Sequence, residues 1–560
     1  MAHEKGLEME TEKRLSRRRF VQLIGLSAAA SLLAACGSTA APSGSTVTVQ
    51  GGAATGATPV PARGVSSVPS TGAASGAKTA TRDTLTIGLN TEPGSLDAST
   101  DVNTTSRLLF INIYDPLVHR DAQGKLVGKL AESWEQVNDT TLRFHLRKGV
   151  TFHNGEEFTA DSVKFSLGRY ADPKSQAAAK TSTIQEVRVI DPYTADVITK
   201  DPDPILIGTI TDGFFMLPPK YYQEKGATAV GTQPVGTGPF VFKEWTKADH
   251  ITMTANKSYW GGAPKVQTVT FRFIPEDATR VAGLQTGELD ITVGLPPALA
   301  NQLKSNKDVT LSTALDPAIV HVGLKCNDPI LKDPRVRQAL NYATNKDLLI
   351  QRVLFGFATA AGQVASPDAF GYNPDIKPYP YDVDKAKQLL ADAGYANGFE
   401  IAMDAPIGYV TQANEVSQAI IGDWGKVGVK AKVTLTEYAT YNKDKLLSPN
   451  RAGLAPTYVM LKRYPSLDVG ETMITAFPTN AQWNYDLYSN PQVDDLIKKQ
   501  ATTLDQNMRK QALLQIEQTL HDDAPYVWLY WAQWIHGMRK GITYHVRPDG
   551  LIDVFDDVSF

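Results

Sequence analysis

A change of composition near residue 84 is the feature that most limits how this 560-residue chain can fold. Residues 37–80 consist almost entirely of Gly, Ser, Thr, Ala, Pro and Val, and they contain no aromatic residue. A segment of this kind buries too little apolar surface to offset the conformational entropy lost on ordering. We therefore predict a flexible linker over 37–80, with a typical reach of about 35–40 Å. The folded body is predicted to begin at Thr84.

The segment before the linker has the order of an export signal. An arginine pair at 17–18 precedes a run of mostly small and aliphatic residues over 21–35, which is too short to span a bilayer comfortably. The arginine pair is typical of a twin-arginine signal, and residues 33–36, Leu-Ala-Ala-Cys, resemble a bacterial lipobox. Residues 1–36 are therefore predicted to be a lipoprotein signal, with lipidated Cys36 anchoring the exported chain to the outer face of the cytoplasmic membrane. An ordinary secretory peptide that ends in Cys is the alternative.

The composition excludes several kinds of partner and site. The chain has 56 Lys and Arg against 59 Asp and Glu, a net charge of −3, and no basic block, so nucleic acid is not the expected partner. Its two cysteines, Cys36 and Cys326, are too few for a disulfide framework or a thiolate metal cluster. With Cys36 lipidated, Cys326 is predicted to be a buried apolar residue rather than a nucleophile.

Local patterns predict both strands and helices in the folded body. Strands are predicted over 84–89, 142–147 and 526–535, the last apolar on both faces and therefore buried on both, with an Asn154-Gly155 hairpin turn. Three helices are predicted to follow the N-caps Thr159, Asp333 and Asp382. Their core-facing residues are Val163, Leu167 and Tyr170 in the first, Val336, Ala339, Leu340 and Ala343 in the second, and Ala386, Leu389 and Leu390 in the third, which Gly394 ends.

Residues 130–170, from LAESWEQ to KFSLGRY, resemble the signature region of the family 5 extracellular solute-binding proteins. These are the oligopeptide- and dipeptide-binding lipoproteins of ABC importers. Further blocks resemble the family in the same order: Pro234–Phe240, Asn256–Trp260, Thr279-Arg280, Thr286–Ile291, Asp333–Leu340, Tyr379–Asp382 and Asn490–Asp494. The resemblance covers nearly all of 84–560.

The resemblance implies an α/β fold of the periplasmic-binding-protein type (type II, cluster C), with two lobes around a cleft and an additional inserted domain. By analogy, lobe I comprises 84–125, 232–312 and 526–560, the inserted domain II comprises 126–231, and lobe III comprises 313–525. The crossings near 312 and 525 are then the hinges. Such a protein is a monomer that closes on a small solute or peptide and delivers it to permease subunits driven by their ATPases.

The ligand-binding segment departs from the family pattern. Peptide-binding members carry Gly-Trp-x-x-Asp in lobe III, whose Asp pairs with the peptide α-ammonium. Here Val459 and Met460 replace Gly-Trp, and Arg463 stands in place of the Asp. A cation repels an ammonium group, so either Asp468 takes the role or the ligand is not a free-amine peptide held in the usual way. A Lys462-Arg463 pair suits a carboxylate or phosphate; alternatively both face solvent or pair with nearby acids.

Aromatic residues supply further candidates, because their rings stack on sugar faces or on peptide side chains, although core packing is the alternative for each. Glu92 corresponds to a position that contacts the ligand backbone in peptide binders, and an exposed loop acid is its alternative. The candidate ligand-binding residues are Glu92, Tyr458, Met460, Lys462, Arg463, Tyr464, Trp483, Asn484, Tyr530 and Trp531.

No catalytic, cofactor or metal site is predicted. Gly-x-Ser-x-Gly, His-Glu-x-x-His, Cys-x-x-Cys and P-loop motifs are absent from the sequence, which argues against an exported hydrolase. Oligopeptides or dipeptides are the first prediction for the ligand, on the family's usual activity. Oligosaccharides or other polar or anionic solutes are the alternative, followed by metal chelates. A signalling role, with the closed form presented to a sensor, stays open.

Overall fold

The computed structural model describes residues 83–101, 103–211 and 213–560. They belong to one compact unit over Ala77–Phe560. The predicted signal, the linker and Cys36 lie outside the described residues. None of the helices in the described part of the chain is long and apolar enough to cross a membrane.

Strands and helices alternate along the described residues. The strands are Thr84–Leu89 (β1), Val118–Arg120 (β2), Leu126–Gly128 (β3), Ala131–Asn138 (β4), Thr141–Leu146 (β5), Ile184–Asp191 (β6), Thr194–Thr199 (β7), Phe240–Thr246 (β8), His250–Ala255 (β9), Thr268–Phe273 (β10), Ile291–Thr292 (β11), Val309–Leu324 (β12), Ala358–Ala360 (β13), Phe399–Ile407 (β14), Val429–Glu437 (β15), Thr457–Arg463 (β16), Tyr526–Arg539 (β17), Thr543–Tyr544 (β18) and Val558–Ser559 (β19). The α-helices are Thr104–Ile113 (α1), Ala160–Tyr170 (α2), Leu206–Thr211 (α3), Pro219–Val230 (α4, kinked at Gly226), Asp277–Thr286 (α5), Pro297–Leu303 (α6), Pro334–Ala343 (α7), Lys346–Arg352 (α8), Val383–Asp392 (α9), Ala413–Gly425 (α10), Tyr438–Tyr441 (α11), Gly470–Ala476 (α12), Pro491–Thr502 (α13), Gln506–Asp523 (α14) and Val554–Asp557 (α15).

The predicted local elements are confirmed. Thr159 caps α2 in a capping box, and the side chains of Asp333 and Asp382 accept hydrogen bonds from the first turns of α7 and α9. The Asn154-Gly155 turn joins a short bridge, with Gly155 at φ +85°. Every core-facing residue predicted for α2 and α7 is buried, whereas Leu389 in α9 is only partly buried.

A large sheet and a small one organise the described residues. The large sheet runs in the order β15-β14-β16-β12-β17-β11-β1-β10-β9-β8, with β13 also paired to β17. One apolar core lies around β1, β9 and β10, and two others lie around β12, β14 and α14. The four-stranded sheet β4-β5-β7-β6 has an apolar core of its own, which it shares with α2. The small sheet falls within the predicted domain II; the lobe and domain boundaries stay a prediction.

Two long strands, β12 and β17, connect the two ends of the large sheet. Their antiparallel register is regular from Val309 to Leu315, shifts before Ile319, shifts again between Val320 and His321, and then continues to Gly323. A shift of this kind is a β-bulge, which bends a strand and redirects its side chains. The break contains Asp316 and Pro317, two residues that meet the candidate site described below. Residues 526–531 of β17 are buried on both faces as predicted, but 532–534 are only partly buried because they run beside this site.

Candidate functional site

A cavity of about 150 Å³, here called the charged chamber, lies beside the break in β12. Its lining residues are Thr104, Arg107, Lys180, Gly213, Phe214, Pro317, Arg463, Pro465, Trp534 and Asp549. They come from all three predicted domains. A volume of this size holds about ten water molecules or a small polar solute. Three cations and one carboxylate in the lining favour a ligand with at least one negative group.

Arg463, at the end of β16, is the predicted ligand residue that lines this chamber. Its Nε and Nη2 donate to the two carboxylate oxygens of Asp316 at 2.9 and 2.6 Å. Its guanidinium also lies over the ring of Trp534, 5.0 Å from the ring centroid. A guanidinium has five N–H donors, so the side-on pair with Asp316 leaves three for a ligand among the described contacts. Pairing with a nearby acid, the alternative considered from the sequence, is therefore found together with a place at the cavity.

Lys462 does not join Arg463 at the chamber, because successive side chains of a strand point to opposite faces. Its Nζ is buried and donates to the Trp483 carbonyl oxygen at 3.2 Å. Burial lowers the pKa of Lys462 to about 8, against the influence of Asp486. Burial likewise raises the pKa of Asp486 to about 6. Only Arg463 of the expected Lys-Arg pair is placed to meet a ligand anion.

Tyr458 and Met460 lie on the same face of β16 as Lys462 and are also buried. The Tyr458 hydroxyl donates a hydrogen bond to Asp486 at 2.5 Å. Tyr458 and Met460 pack in a small apolar cluster with Tyr441. Tyr530 is buried in the core around β12 and β14. These three predicted ligand residues serve the core in this structure.

Tyr464 and Trp531 lie behind the chamber, where both are buried and bind one backbone loop. The Tyr464 hydroxyl and the Trp531 Nε1 donate to the Val364 carbonyl oxygen at 3.0 and 3.1 Å. The Glu517 carboxylate on α14 accepts hydrogen bonds from the N–H groups of Val364 and Ala365 at 3.0 and 2.8 Å. Burial raises the pKa of Glu517 to about 7, against those two hydrogen bonds. The two aromatic residues thus support the wall rather than line the cavity.

Trp483 exposes 46% of its surface and lines a second cavity of about 430 Å³, here called the apolar chamber. The apolar chamber is lined by Ala179, Lys180, Ser182, Thr183, Lys200, Asp201, Pro202, Asp203, Ile205, Thr209, Glu471, Ile474, Thr475, Trp483, Ala501 and Thr502. Asn484 is buried beside Trp483, where it donates to the carbonyl oxygens of Pro478 and Tyr488 and accepts the Tyr488 N–H. Asn484 therefore shapes the loop that presents the indole.

Glu92 lines neither chamber. Its carboxylate accepts the Trp245 Nε1–H at 2.7 Å and lies 3.9 Å from the Lys247 ammonium. It lines a shallow depression of about 330 Å³ with Asn103 and Thr104, and Thr104 also lines the charged chamber. The structure therefore brings together Arg463 at one chamber and Trp483 at the other, and it does not bring Glu92 to either.

Arg107, Lys180, Trp534 and Asp549 line the charged chamber but were missed by the sequence analysis. Arg107 had a recognisable signal, since it comes directly before the apolar run of α1 and is buried there. Trp534 belonged to a strand already predicted. Lys180 and Asp549 lie outside any motif, in segments that only the tertiary fold brings to the cavity.

Asp549 lines the charged chamber and is held in place by a buried cluster of charged residues. Arg547 donates to both carboxylate oxygens of Asp549, at 3.2 and 2.9 Å, and from Nη1 to the His119 Nε2 at 2.6 Å. Burial, followed by the charge of Arg547, lowers the pKa of His119 well below its usual value. His119, Asp553 and Asp556 have the donor types of a metal site. However, Arg547 already hydrogen-bonds to the His119 Nε2, and the Lys129 ammonium lies 2.8 Å from the Asp556 carboxylate. The positive charges of Arg547 and Lys129 therefore stand where a metal ion would bind.

Cys326 packs against the core around α14, and its Sγ lies 3.4 Å from the Leu324 carbonyl oxygen. Burial raises the pKa of this thiol to about 12. The thiol is therefore protonated at neutral pH and a poor nucleophile, as the sequence analysis predicted.

The sequence of the chain is similar to those of known proteins. A family model described as bacterial extracellular solute-binding proteins, family 5 middle, matches residues 125–459. A glutathione-binding protein, GsiB, of Pectobacterium atrosepticum is 30% identical over 481 residues, which cover 83% of this chain and 92% of that protein. A dipeptide-binding protein of Escherichia coli is 30% identical over 482 residues, covering 80% and 89%.

A solved structure gives the same result for the fold. The periplasmic binding protein DppA of Helicobacter pylori, in complex with the peptide STSA, superposes with a TM-score of 0.71 at 26% identity, covering 86% of this chain and 99% of that one. The two-lobed α/β fold expected from the sequence is thereby confirmed. All of these relatives are named as binding proteins. The chain belongs to family 5 of the bacterial extracellular solute-binding proteins.

Proposed function

We propose that this protein is the membrane-anchored solute-binding component of an ABC importer, and that it captures short peptides in the charged chamber. The observation that carries the proposal is Arg463, which faces the charged chamber with three N–H donors left after its pair with Asp316. We assign these donors to the C-terminal carboxylate of the peptide, which a guanidinium binds well. The small volume favours a dipeptide-sized ligand over a long chain.

Closure around the ligand is proposed to occur at the break in β12 and β17, close to the hinges predicted near 312 and 525. Arg120 donates to the Ser466 carbonyl oxygen across the cleft, and the Lys180 ammonium lies 4.0 Å from the Glu471 carboxylate. A bound ligand would favour the closed form by adding contacts on both sides. The closed protein would then deliver the peptide to the permease subunits and their ATPases.

A titration with three forms of one dipeptide tests the ligand assignment. The full chain is partly unfolded and refolded to remove carried-over ligand, then titrated calorimetrically with a dipeptide, its C-terminal amide and its N-acetyl form. Amidation should weaken binding about tenfold or more, because a hydrogen bond to a charged group contributes about 1.5–3 kcal/mol. In Arg463→Met this penalty should vanish. Arg335→Met is the matched control, since Arg335 also pairs with an aspartate, Asp333, but on the surface outside both chambers.

A different polar or anionic solute is the second candidate, and the three cations of the charged chamber favour it. A thermal-shift screen separates the two. A ligand at 100 times its Kd adds about 2.7 kcal/mol of stability, which gives a visible shift. Shifts with acidic solutes or oligosaccharides, and none with peptides, would select this candidate and reject the first.

The lipid anchor is proposed on Cys36 alone, from the sequence. In a bacterial host, the wild-type chain should sediment with membranes and Cys36→Ser should be released into the soluble fraction. Equal distribution of the two chains would reject the anchor without affecting the ligand assignment.

A further inference from the structure

We propose that the apolar chamber is a second subsite, which receives a bulky apolar side chain of the peptide whose carboxylate lies at Arg463. The inference rests on the proposed function, because it names the class of peptide that the same cleft selects. The ligand class is a short peptide that carries one aromatic or large branched residue.

The two chambers are neighbours and share one lining residue. Lys180 lines both of them, and its ammonium lies 4.0 Å from Glu471, which lines the apolar chamber alone. A ligand that spans both chambers therefore passes beside this ion pair. The backbone of a peptide can lie there, because its N–H and C=O groups can hydrogen-bond to the carboxylate and the ammonium.

The lining of the apolar chamber matches an uncharged occupant. Pro202, Ile205, Ile474 and Ala501 supply apolar surface. Two of the charged groups in the wall have partners within the protein: the Lys200 ammonium donates to the Ser182 carbonyl oxygen at 2.8 Å, and Asp203 accepts the Ile205 N–H at 3.0 Å. An apolar side chain entering this space would gain contact with this apolar surface without the cost of desolvating a charge of its own.

Trp483 gives the chamber a rigid aromatic wall. Its indole is 46% exposed, whereas most tryptophan surface in a folded protein is covered. The surrounding loop is held by Lys462, which donates to the Trp483 carbonyl oxygen, and by the buried amide of Asn484. A pre-positioned aromatic ring loses little entropy on binding, and it favours edge or offset contacts with another ring.

The size of the chamber sets the size of the occupant. Its volume of about 430 Å³ is nearly three times that of the charged chamber. An aromatic side chain buries about 150–250 Å² of surface, whereas an alanine side chain would leave most of this space to solvent. The structure therefore predicts selection by side-chain size.

A pair of dipeptides that differ only in one side chain tests this inference. Phenylalanyl-alanine, in which the peptide bond lies between the aromatic side chain and the carboxylate, should bind the full chain at least about tenfold more tightly than alanyl-alanine, a difference equal to about 1.4 kcal/mol. Trp483→Ala should reduce this preference several-fold while leaving the affinity for alanyl-alanine within about twofold. Ala501→Trp, which fills the chamber from α13, should abolish the preference. Phe560→Ala is the matched control, because Phe560 is an aromatic residue with 45% exposure that lines neither chamber.

Two results would overturn the inference while leaving the proposed function intact: an unchanged preference in both variants, or an equal loss of affinity for both peptides. If neither peptide binds, the peptide assignment itself is wrong, and the chamber is tested separately with 4-bromophenylacetate. After co-crystallisation, a bromine located by anomalous scattering beside Trp483 would support the subsite. Bromine found elsewhere, or not at all, would reject it.

Discussion

Glu517 gives a prediction that can be worked out in magnitude, because its carboxyl group is completely buried and has two defined partners. It binds the N–H groups of Val364 and Ala365, the loop that supports Tyr464 and Trp531 behind the charged chamber. Burial raises its pKa from the ordinary 4.5 to about 7. The folded state therefore holds the Glu517 proton more tightly than the unfolded state does.

The sign of the effect on stability follows from this difference. The contribution of Glu517 is fully present below the unfolded pKa of 4.5 and is lost as the pH rises through the folded pKa of about 7. Between pH 5 and pH 8 the free energy of unfolding should fall by about 2–3 kcal/mol on account of this one group. Glu517→Gln removes the ionisation and keeps a similar shape, so that its unfolding free energy should lack this fall.

Urea unfolding of wild type and Glu517→Gln at pH 5 and pH 8 measures the difference directly, since other titrating groups are common to both chains. The gap between the two unfolding free energies should change by about 2–3 kcal/mol in favour of Glu517→Gln at the higher pH. If the two free energies run parallel within about 0.5 kcal/mol, the buried, proton-holding role of Glu517 is refuted.

Three further predictions concern Arg463, Asn484 and Cys326. Arg463→Met should lower the free energy of unfolding by about 1–3 kcal/mol, since it leaves the buried Asp316 carboxylate without its partner, and adding Asp316→Asn should recover part of the loss in urea unfolding. Asn484→Ala should cost about 1–3 kcal/mol in the same assay, because it leaves buried backbone groups of the Trp483 loop without their amide partner; an unchanged midpoint would contradict this. In a Cys36→Ser chain at pH 8, Cys326 should react with a maleimide about a thousandfold more slowly than in urea, since burial raises its pKa to about 12; comparable rates would show an exposed thiolate.

Much of the fold could be predicted from local patterns. The caps of α2, α7 and α9 and the strand β1 follow from a few consecutive residues, and the structure contains all four. Local signals of this kind are reliable because capping and alternation act over one or two turns or a short strand. The resemblance of the 130–170 segment gave the fold class for the same chain.

The site was less accessible to sequence reasoning, because it is assembled over long distances in the chain. Arg463 and its partner Asp316 are 147 positions apart, and the register break that contains Asp316 depends on pairing with β17. The separation of Lys462 from Arg463 is one feature that the sequence predicts. Because side chains alternate along a strand, two consecutive residues of β16 point to opposite faces and do not contact the same ligand group. No local pattern distinguishes Tyr464 and Trp531, which support the wall, from Trp483, which lines the apolar chamber.

A co-crystal structure with phenylalanyl-alanine tests the central claim most directly. The account predicts the peptide carboxylate within about 2.7–3.2 Å of the Arg463 guanidinium, still paired with Asp316, and the phenyl ring beside Trp483. A reversed peptide, with its ammonium group toward Arg463, or a peptide bound outside both chambers would contradict it.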